Sequence, residues 1–124
     1  MKQLPIIENE QIEVWSFYDF TLFDLVKSGV KTATCYLSSG EDFVDKFSTL
    51  KSNTGEELNL ETVAAFELLF DEVTEEMARL EGEGDLSLEY WRKTHFDFFN
   101  KELKQCGKAF TNDTKIIFEI FKVV

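Results

Sequence analysis

The rest of the chain is organised around the stretch Glu81-Gly82-Glu83-Gly84-Asp85, which is followed by Leu86-Ser87-Leu88-Glu89-Tyr90-Trp91-Arg92-Lys93-Thr94-His95. Glycine is costly to order, so two glycines here predict a backbone that turns sharply or lies close to another group. The carboxylates either stay solvated, or a pocket desolvates one of them and makes it an acid–base group. An acidic Gly-rich loop alone is more often a solvated connection, but a second stretch, Gly29-Val30-Lys31-Thr32-Ala33-Thr34, favours a site.

The size and composition of the chain are those of one globular domain. It has 124 residues, 44% of them hydrophobic, and 13 Phe, which is enough for a substantial core. No apolar run approaches the roughly 20 residues of a membrane span, and residues 1–7 lack the apolar core of a signal peptide. Cys35 and Cys106 have neither metal-binding nor redox spacing. These features predict a cytoplasmic protein with two free thiols.

The net charge of −11 argues against nucleic-acid binding over a large electrostatic surface. Binding of that kind requires basic side chains that displace the counterions of the phosphates. Residues 71–89 contain eight acids and one base, a balance of −7, whereas residues 92–108 contain five bases. A local basic face is compatible with this pattern, but a large RNA would meet a mostly repulsive surface. A small polar ligand would be less affected.

The first half of the chain predicts a helix that leads directly into a strand. The helix covers residues 21–28, and Gly29 stands where a left-handed C-terminal cap belongs. The strand covers residues 31–37, so that Thr32 and Thr34 share one face. Lys31 lies at the mouth of this strand, where its stem can reach over Thr34.

Further strands are predicted at 47–51, 58–60 and 62–70, after a polar loop over 38–45. Segment 62–70 is also rich in helix-forming residues, but strand is favoured because it follows a hairpin-like turn. Thr74 and Ser87 are predicted to cap two helices, the second over 88–105 with an apolar face; that face contains Leu88, Trp91, His95, Phe98, Phe99 and Leu103. Segment 116–124 predicts a central strand. Short strands with few helices favour an α+β fold built on a small mixed barrel.

The order of these motifs resembles the ASCH domain family, the small proteins related to the ASC-1 homology domain. The resemblance spans roughly residues 15–124 and rests on four pieces in order: Gly29–Thr34, Phe70–Glu76, Glu81–Leu88 with Tyr90–Lys93 and His95, and the terminal Phe121–Val124. The Glu-Gly-Glu-Gly-Asp run is typical of a longer branch of the family. The resemblance implies a PUA-like β-barrel with flanking helices as a single domain over residues 14–124, after a lead-in over residues 1–13.

The resemblance also implies a function. Family members are proposed to bind RNA, and some look like ribonucleases. A shorter branch is similar to amidohydrolases that remove the acetyl group from N-acetylcytidine, using a lysine and a threonine of a G-x-K-x-x-T pattern with a glutamate after the second helix. Those roles fall on Lys31, Thr34 and Glu81.

Amide hydrolysis by these residues would make Thr34 the nucleophile. Either Lys31 is neutral part of the time and takes the threonine proton, or it stays charged, stabilises the oxyanion and leaves Glu81 as the base. Glu81 could in both cases return a proton to the leaving amine. The structural alternative is that Thr34 is an ordinary strand residue, Lys31 reaches solvent and Glu81 forms a cap or an ion pair.

Other residues of the two stretches are hypotheses for ligand binding. His95 is either half-buried structure or a general base, Trp91 either core or a stacking surface for a base, and Arg92 either pairs with Glu89 or Asp85 or holds a phosphate. The full set of predicted ligand-binding residues is Thr32, Glu83, Asp85, Trp91, Arg92 and His95.

No metal is predicted, because the acids at 81, 83 and 85 lack the ligand ladder of a calcium loop, and no cofactor is predicted. The expected partner is a small nucleoside-like ligand or RNA, with no membrane and no DNA-binding motif. A protein-interaction surface over residues 71–89 is the remaining alternative.

Overall fold

The computed structural model describes all residues 1–124 and contains eight strands and three helices. In chain order they are β1 (Lys2–Gln3), β2 (Ile6–Ile7), β3 (Glu13–Trp15), α1 (Thr21–Lys27), β4 (Ala33–Leu37), β5 (Val44–Asp45), β6 (Phe47–Lys51), β7 (Glu57–Leu69), α2 (Glu75–Glu81), α3 (Leu88–Gln105) and β8 (Lys115–Val123). None of the helices combines the length and the apolar character needed to cross a bilayer.

The main sheet is mixed and curls into a half-barrel, which confirms the α+β prediction. Its strand order is β3-β6-β7-β8-β4, with β1 added beside β7. The pair β3–β6 is parallel and the other pairs are antiparallel. Strand β8 lies between β7 and β4, so the prediction of a central strand at the end of the chain is confirmed.

Strand β7 holds three neighbours together. Its first half pairs with β6, its second half pairs with β1, and almost its whole length pairs with β8. The predicted strands 58–60 and 62–70 are therefore one strand, interrupted by a register shift at Val63. The choice of strand over helix for this segment is confirmed, except that Phe70 begins a 3₁₀ turn over Phe70–Glu72.

The predicted helix caps are confirmed by their hydrogen bonds. The Thr74 hydroxyl accepts from the Met77 amide over 3.2 Å, and the Ser87 hydroxyl accepts from the Tyr90 amide over 3.1 Å. Each bond satisfies an amide that the first turn of a helix leaves unpaired. Gly29 follows α1 with φ 84°, the left-handed conformation expected of it.

Two predicted irregular segments contain short strands. Strands β1 and β2 lie within the lead-in over residues 1–13, and Leu4 between them is buried. Strand β5 lies within the predicted loop over 38–45 and pairs in parallel with β2. A strand of two residues is too short to show a periodic pattern in its sequence. It forms because a distant segment of the chain pairs with it.

The two faces of β8 pack against different layers. On one face, Ile116 and Phe118 join the largest core cluster with Trp91 and Phe99 of α3. On the other, Ile117 and Phe121 belong to two smaller clusters. The prediction that Phe98 belongs to the apolar face of α3 is wrong: Phe98 is exposed, and its ring lies 6.4 Å from that of Tyr18.

Candidate functional site

A cavity of about 960 Å³ lies over the face of the sheet that carries Phe121 and extends to α3. This volume is in the range of sites for small organic ligands. Aromatic side chains form much of its wall, among them Trp15, Phe17, Tyr18, Phe43, Phe98 and Phe121. Thr34 and Cys35 point to opposite faces of β4 and both line the cavity, so the cavity passes around this edge strand.

Lys31 is buried in the wall of the cavity, with its side chain only 1% exposed. The turn after α1 directs it inward, because the amides of Val30 and Lys31 both donate to the carbonyl of Leu25. Its ammonium lies 2.8 Å from Glu83 Oε2 and 3.5 Å from Glu81 Oε1, and it donates to the Glu81 carbonyl over 3.2 Å. Burial lowers the pKa of Lys31, but the two carboxylates outweigh this effect and leave the pKa above its ordinary value.

The Glu81 carboxylate collects hydrogen-bond donors from three sides. Its Oε2 atom accepts from Trp91 Nε1 over 2.7 Å and lies 3.0 Å from His95 Nε2 and 3.6 Å from Cys35 Sγ. Burial raises the pKa of Glu81, but the Lys31 charge and the His95 and Trp91 hydrogen bonds bring it below its ordinary value. Glu81 is therefore an ionised carboxylate in the core.

The two glycines of the acidic loop permit close contacts, as their presence predicted. Gly82 caps α2 in the left-handed conformation, with φ 69°. A β-carbon there would stand 2.4 Å from the carbonyl oxygen of Val30. At Gly84 it would meet the ring of Tyr90 at 2.4 Å. The loop can thus press against the chain just before Lys31 only because it has no side chain at Gly82.

His95 is the fourth charged residue in the cluster that also contains Lys31, Glu81 and Glu83. Its Nδ1 atom lies 2.9 Å from the Trp91 carbonyl and its Nε2 atom lies 3.0 Å from Glu81 Oε2. Both partners are acceptors, so both ring nitrogens carry protons. Burial lowers the pKa of His95, and the Glu81 hydrogen bond and charge more than reverse this, raising it. The positive charges of Lys31 and His95 then balance the negative charges of Glu81 and Glu83.

This balance predicts a pH-dependent contribution of His95 to stability. Because the pKa of His95 is raised above 6.5, its contribution is complete below pH 6.5 and is lost as the pH rises through the folded-state value. Because the pKa of Glu81 is lowered from 4.5, its contribution is complete above pH 4.5 and is lost as the pH falls through the folded-state value. The variant His95→Gln keeps a donor but does not titrate.

We expect His95→Gln to melt roughly 3–8 °C below the wild type between pH 4.5 and 6.5, and the gap to narrow above pH 6.5. Thermal unfolding followed by circular dichroism over pH 4–9 measures this difference. A gap that is constant with pH would show that His95 does not titrate against Glu81.

Five of the predicted site residues line the cavity: Lys31, Thr34, Glu81, Glu83 and His95. The other four do not. The Thr32 hydroxyl donates to the Leu80 carbonyl over 3.3 Å, and Asp85 accepts from the Ser87 amide over 2.9 Å. Both interactions hold the backbone around the site.

Trp91 and Arg92 also lie outside the cavity. Trp91 is only 1% exposed and stacks on Phe70 at 5.2 Å between ring centroids, so its faces are closed to a ligand and its indole N–H serves Glu81. Arg92 is exposed and forms no ion pair, so the predicted pairing with Glu89 or Asp85 is wrong. Successive residues of a helix point about 100° apart, which separates Arg92 from the buried face of Trp91.

The cavity residues that sequence reasoning missed include one hydrogen-bonded group, which consists of Tyr36, Thr62 and Glu119. The Tyr36 hydroxyl donates to Glu119 Oε2 over 2.6 Å, and the Thr62 hydroxyl donates to Glu119 Oε1 over 3.1 Å. Burial raises the pKa of Glu119, and these two bonds offset the rise only in part. The sequence contained one signal that could have identified Glu119: it is the single acidic residue within the otherwise apolar run of β8, residues 116–121.

One group of possible metal ligands is present. The donor atoms of Cys35, Glu81 and His95 lie within 4.8 Å of one another. Burial and the nearby Glu81 carboxylate raise the pKa of the Cys35 thiol well above its ordinary value, which disfavours the thiolate that a metal needs. Glu81 Oε2 is already occupied by Trp91 and His95. The arrangement therefore fits a hydrogen-bonded cluster better than a metal site.

Comparisons with known proteins agree with the fold and the motifs. Residues 13–124 match the ASCH domain family. The crystal structure of an ASCH domain from Lactobacillus crispatus JV V101 is similar, with a TM-score of 0.78 and 27% identity over 90% of this chain and 79% of that one. The crystal structure of a protein from Enterococcus faecalis V583 is similar too, also with a TM-score of 0.78 and 27% identity, over 95% of this chain and 83% of that one.

No functionally curated protein matches the sequence significantly. The structural similarities confirm the predicted PUA-like α+β fold, a fold associated with RNA binding. The family match covers most of the sequence, from the first residues of β3 to the last residue. The chain belongs to the ASCH domain family.

Proposed function

We propose that this protein is an amidohydrolase that acts on a small, nucleoside-like amide bound in the cavity. One observation carries the proposal: a lysine that is 1% exposed and held by two carboxylates lines the same cavity as the Thr34 hydroxyl. Burying charged groups is costly, and a fold without a use for them would gain stability if apolar side chains replaced the whole set of Lys31 and its two carboxylates.

The contacts favour one of the two roles considered for Lys31. Glu81 and Glu83 keep its ammonium protonated, so Lys31 is unsuited to taking a proton from Thr34. A fixed positive charge in a buried site instead stabilises the oxyanion that forms when a carbonyl is attacked. Glu81 then orients Lys31, while Glu83, whose side chain is 13% exposed, borders the cavity.

Thr34 suits the role of nucleophile because its hydroxyl is uncommitted. The neighbouring side chains Thr32, Cys35 and Tyr36 each donate to another group, whereas Thr34 forms no side-chain hydrogen bond within the protein. Its hydroxyl also borders the cavity. Attack on an acyl carbon there would form an ester to Thr34 and release the amine.

The walls favour an aromatic ligand without phosphate. The rings of Trp15, Phe17 and Tyr18 offer surfaces on which a heterocycle can stack. Besides Glu81 and Glu83, six further acids line the cavity: Glu13, Asp19, Glu41, Asp45, Glu102 and Glu119. Lys31 and His95 are the only basic residues among the lining groups. A phosphate would meet repulsion here, so a nucleoside fits better than a nucleotide or an RNA.

Chromatography of N-acetylcytidine incubated with the purified protein tests this proposal. We expect release of cytidine that is insensitive to salt, and we expect Thr34→Val to lower kcat/KM by at least about 100-fold. Thr49→Val is the matched control, since the Thr49 hydroxyl bonds to Asn59 and lies outside the cavity.

Absence of cytidine at high enzyme concentration would refute the proposal. Retention of a structured RNA in a low-salt gel shift would in that case make RNA binding the better account. Equal turnover by Thr34→Val and the wild type would refute the role of Thr34 and leave the hydrolysis intact.

A further inference from the structure

Neither Lys31 nor Glu81 is suited to accept the proton of the proposed nucleophile, Thr34. A threonine hydroxyl attacks a carbonyl only as a base removes its proton. Lys31 is a bound ammonium. Glu81 Oε2 is surrounded by donors and Oε1 faces that ammonium, so this carboxylate is a weak base.

Glu119 occupies the position directly across from Thr34. The two residues are register partners in the antiparallel pair of β4 and β8. Partners of this kind point to the same face of a sheet, with β-carbons about 4.5–5.5 Å apart. Both side chains line the cavity. A glutamate carboxylate spans such a gap directly or through one water molecule.

We propose that Glu119 is the catalytic base that accepts the Thr34 hydroxyl proton and passes it to the leaving amine. The inference rests on the proposed function. As the Thr34 oxygen bonds to the acyl carbon, its proton moves to Glu119. As the carbon–nitrogen bond breaks, the amine takes that proton. A water molecule then attacks the ester, gives its proton to Glu119, and the proton returns to the Thr34 oxygen as the ester bond breaks.

The surroundings of Glu119 suit a base and do not suit a structural ion pair. No cation pairs with it, and along the same face of β8 it stands between the buried Ile117 and Phe121. Tyr36 and Thr62 each donate to a different oxygen of the carboxylate. Each oxygen keeps a free lone pair for the Thr34 proton.

The charges near Glu119 bring its proton affinity towards the useful range. Burial is the main cause of its raised pKa, and the nearby carboxylates of Asp45 and Glu13 add to it. The Tyr36 and Thr62 hydroxyls act in the opposite sense. A carboxyl group with a raised pKa is a stronger base near neutral pH than one with an ordinary value.

Steady-state kinetics of Glu119→Gln on N-acetylcytidine test the inference. We expect kcat to fall by at least about 100-fold, with KM changed less than about threefold and the acidic limb of the pH–kcat profile lost. The melting temperature should change little, because removal of a buried charge that no cation pairs with offsets the loss of one of the hydrogen bonds from Tyr36 and Thr62. Glu67→Gln is the matched control: Glu67, on β7, accepts a hydrogen bond from the Ser38 hydroxyl and lies outside the cavity.

Tyr36→Phe provides a second readout that does not depend on the folding of Glu119→Gln. Loss of the Tyr36 hydrogen bond destabilises the carboxylate, so the acidic limb should move to higher pH. Full activity of Glu119→Gln with an unmoved limb, while Thr34→Val is inactive, would overturn the role of Glu119 and leave the amidohydrolase standing. Failure of the wild type to release cytidine would overturn both.

Discussion

Replacement of Lys31 by methionine is expected to lower the free energy of unfolding by about 3–5 kcal/mol. Methionine fills much of the same volume, so the loss would come from charge and not from a cavity. Without the ammonium, Glu81 and Glu83 are left as neighbouring carboxylates, one of them fully buried. The loss should be smaller at pH 4–5, where one carboxyl group can take up a proton in place of the ammonium.

Urea unfolding at pH 7 and at pH 4.5 measures this effect. Lys27→Met is the matched control, because Lys27 also pairs with a glutamate, Glu56, but both side chains are largely exposed. Its unfolding midpoint should stay within the error of the wild type. A Lys31→Met protein as stable as the Lys27→Met protein would mean that the buried ammonium does not hold the loop.

Replacement of Gly82 by alanine is expected to lower the free energy of unfolding by about 3 kcal/mol or more. Two costs add at this position. The left-handed conformation, with φ 69°, is unfavourable for any residue with a β-carbon. The added atom would also stand 2.4 Å from the Val30 carbonyl oxygen and 2.8 Å from Lys31 Cα, and both are backbone atoms that cannot rotate away.

Gly107→Ala separates these two costs. Gly107 has nearly the same conformation, with φ 71°, but an added β-carbon there would have no atom within 4 Å. We expect it to cost only the conformational part, about 1–2 kcal/mol. Equal losses in the two variants, measured by urea unfolding, would show that α2 can move away from Val30. A larger loss at Gly82 should be accompanied by loss of the Lys31–Glu83 contact.

Features with a local cause could be predicted from the sequence. The caps at Thr74 and Ser87, and the end of α1 at Gly29, depend on residues within one turn of the helix they bound. The length and apolar character of segment 116–124 sufficed to predict β8 as a central strand. Strands β2 and β5 were missed because they exist only through pairing with each other, 38 positions apart at Ile6 and Val44.

The site was predictable only in part, for the same reason. Resemblance to a family identified Lys31, Thr34 and Glu81, which no local pattern connects. Glu119 and Thr62 were not predicted, because the register of the strands determines that their side chains face the cavity. Thr62 faces the cavity next to a register shift at Val63, and a shift of one residue reverses the face to which every later side chain points.

The three pairings of β7 have a consequence for how ligands reach the cavity. A strand held by β6, β1 and β8 belongs to the part of the domain that opens only when the whole domain unfolds, and Thr62 in the cavity wall is part of it. Residues 16–20, between β3 and α1, have no strand or helix of their own, and Tyr18 among them is 92% exposed. We expect local opening of this segment to require less free energy than opening of β7, and we therefore expect it to act as the gate through which a ligand enters and leaves.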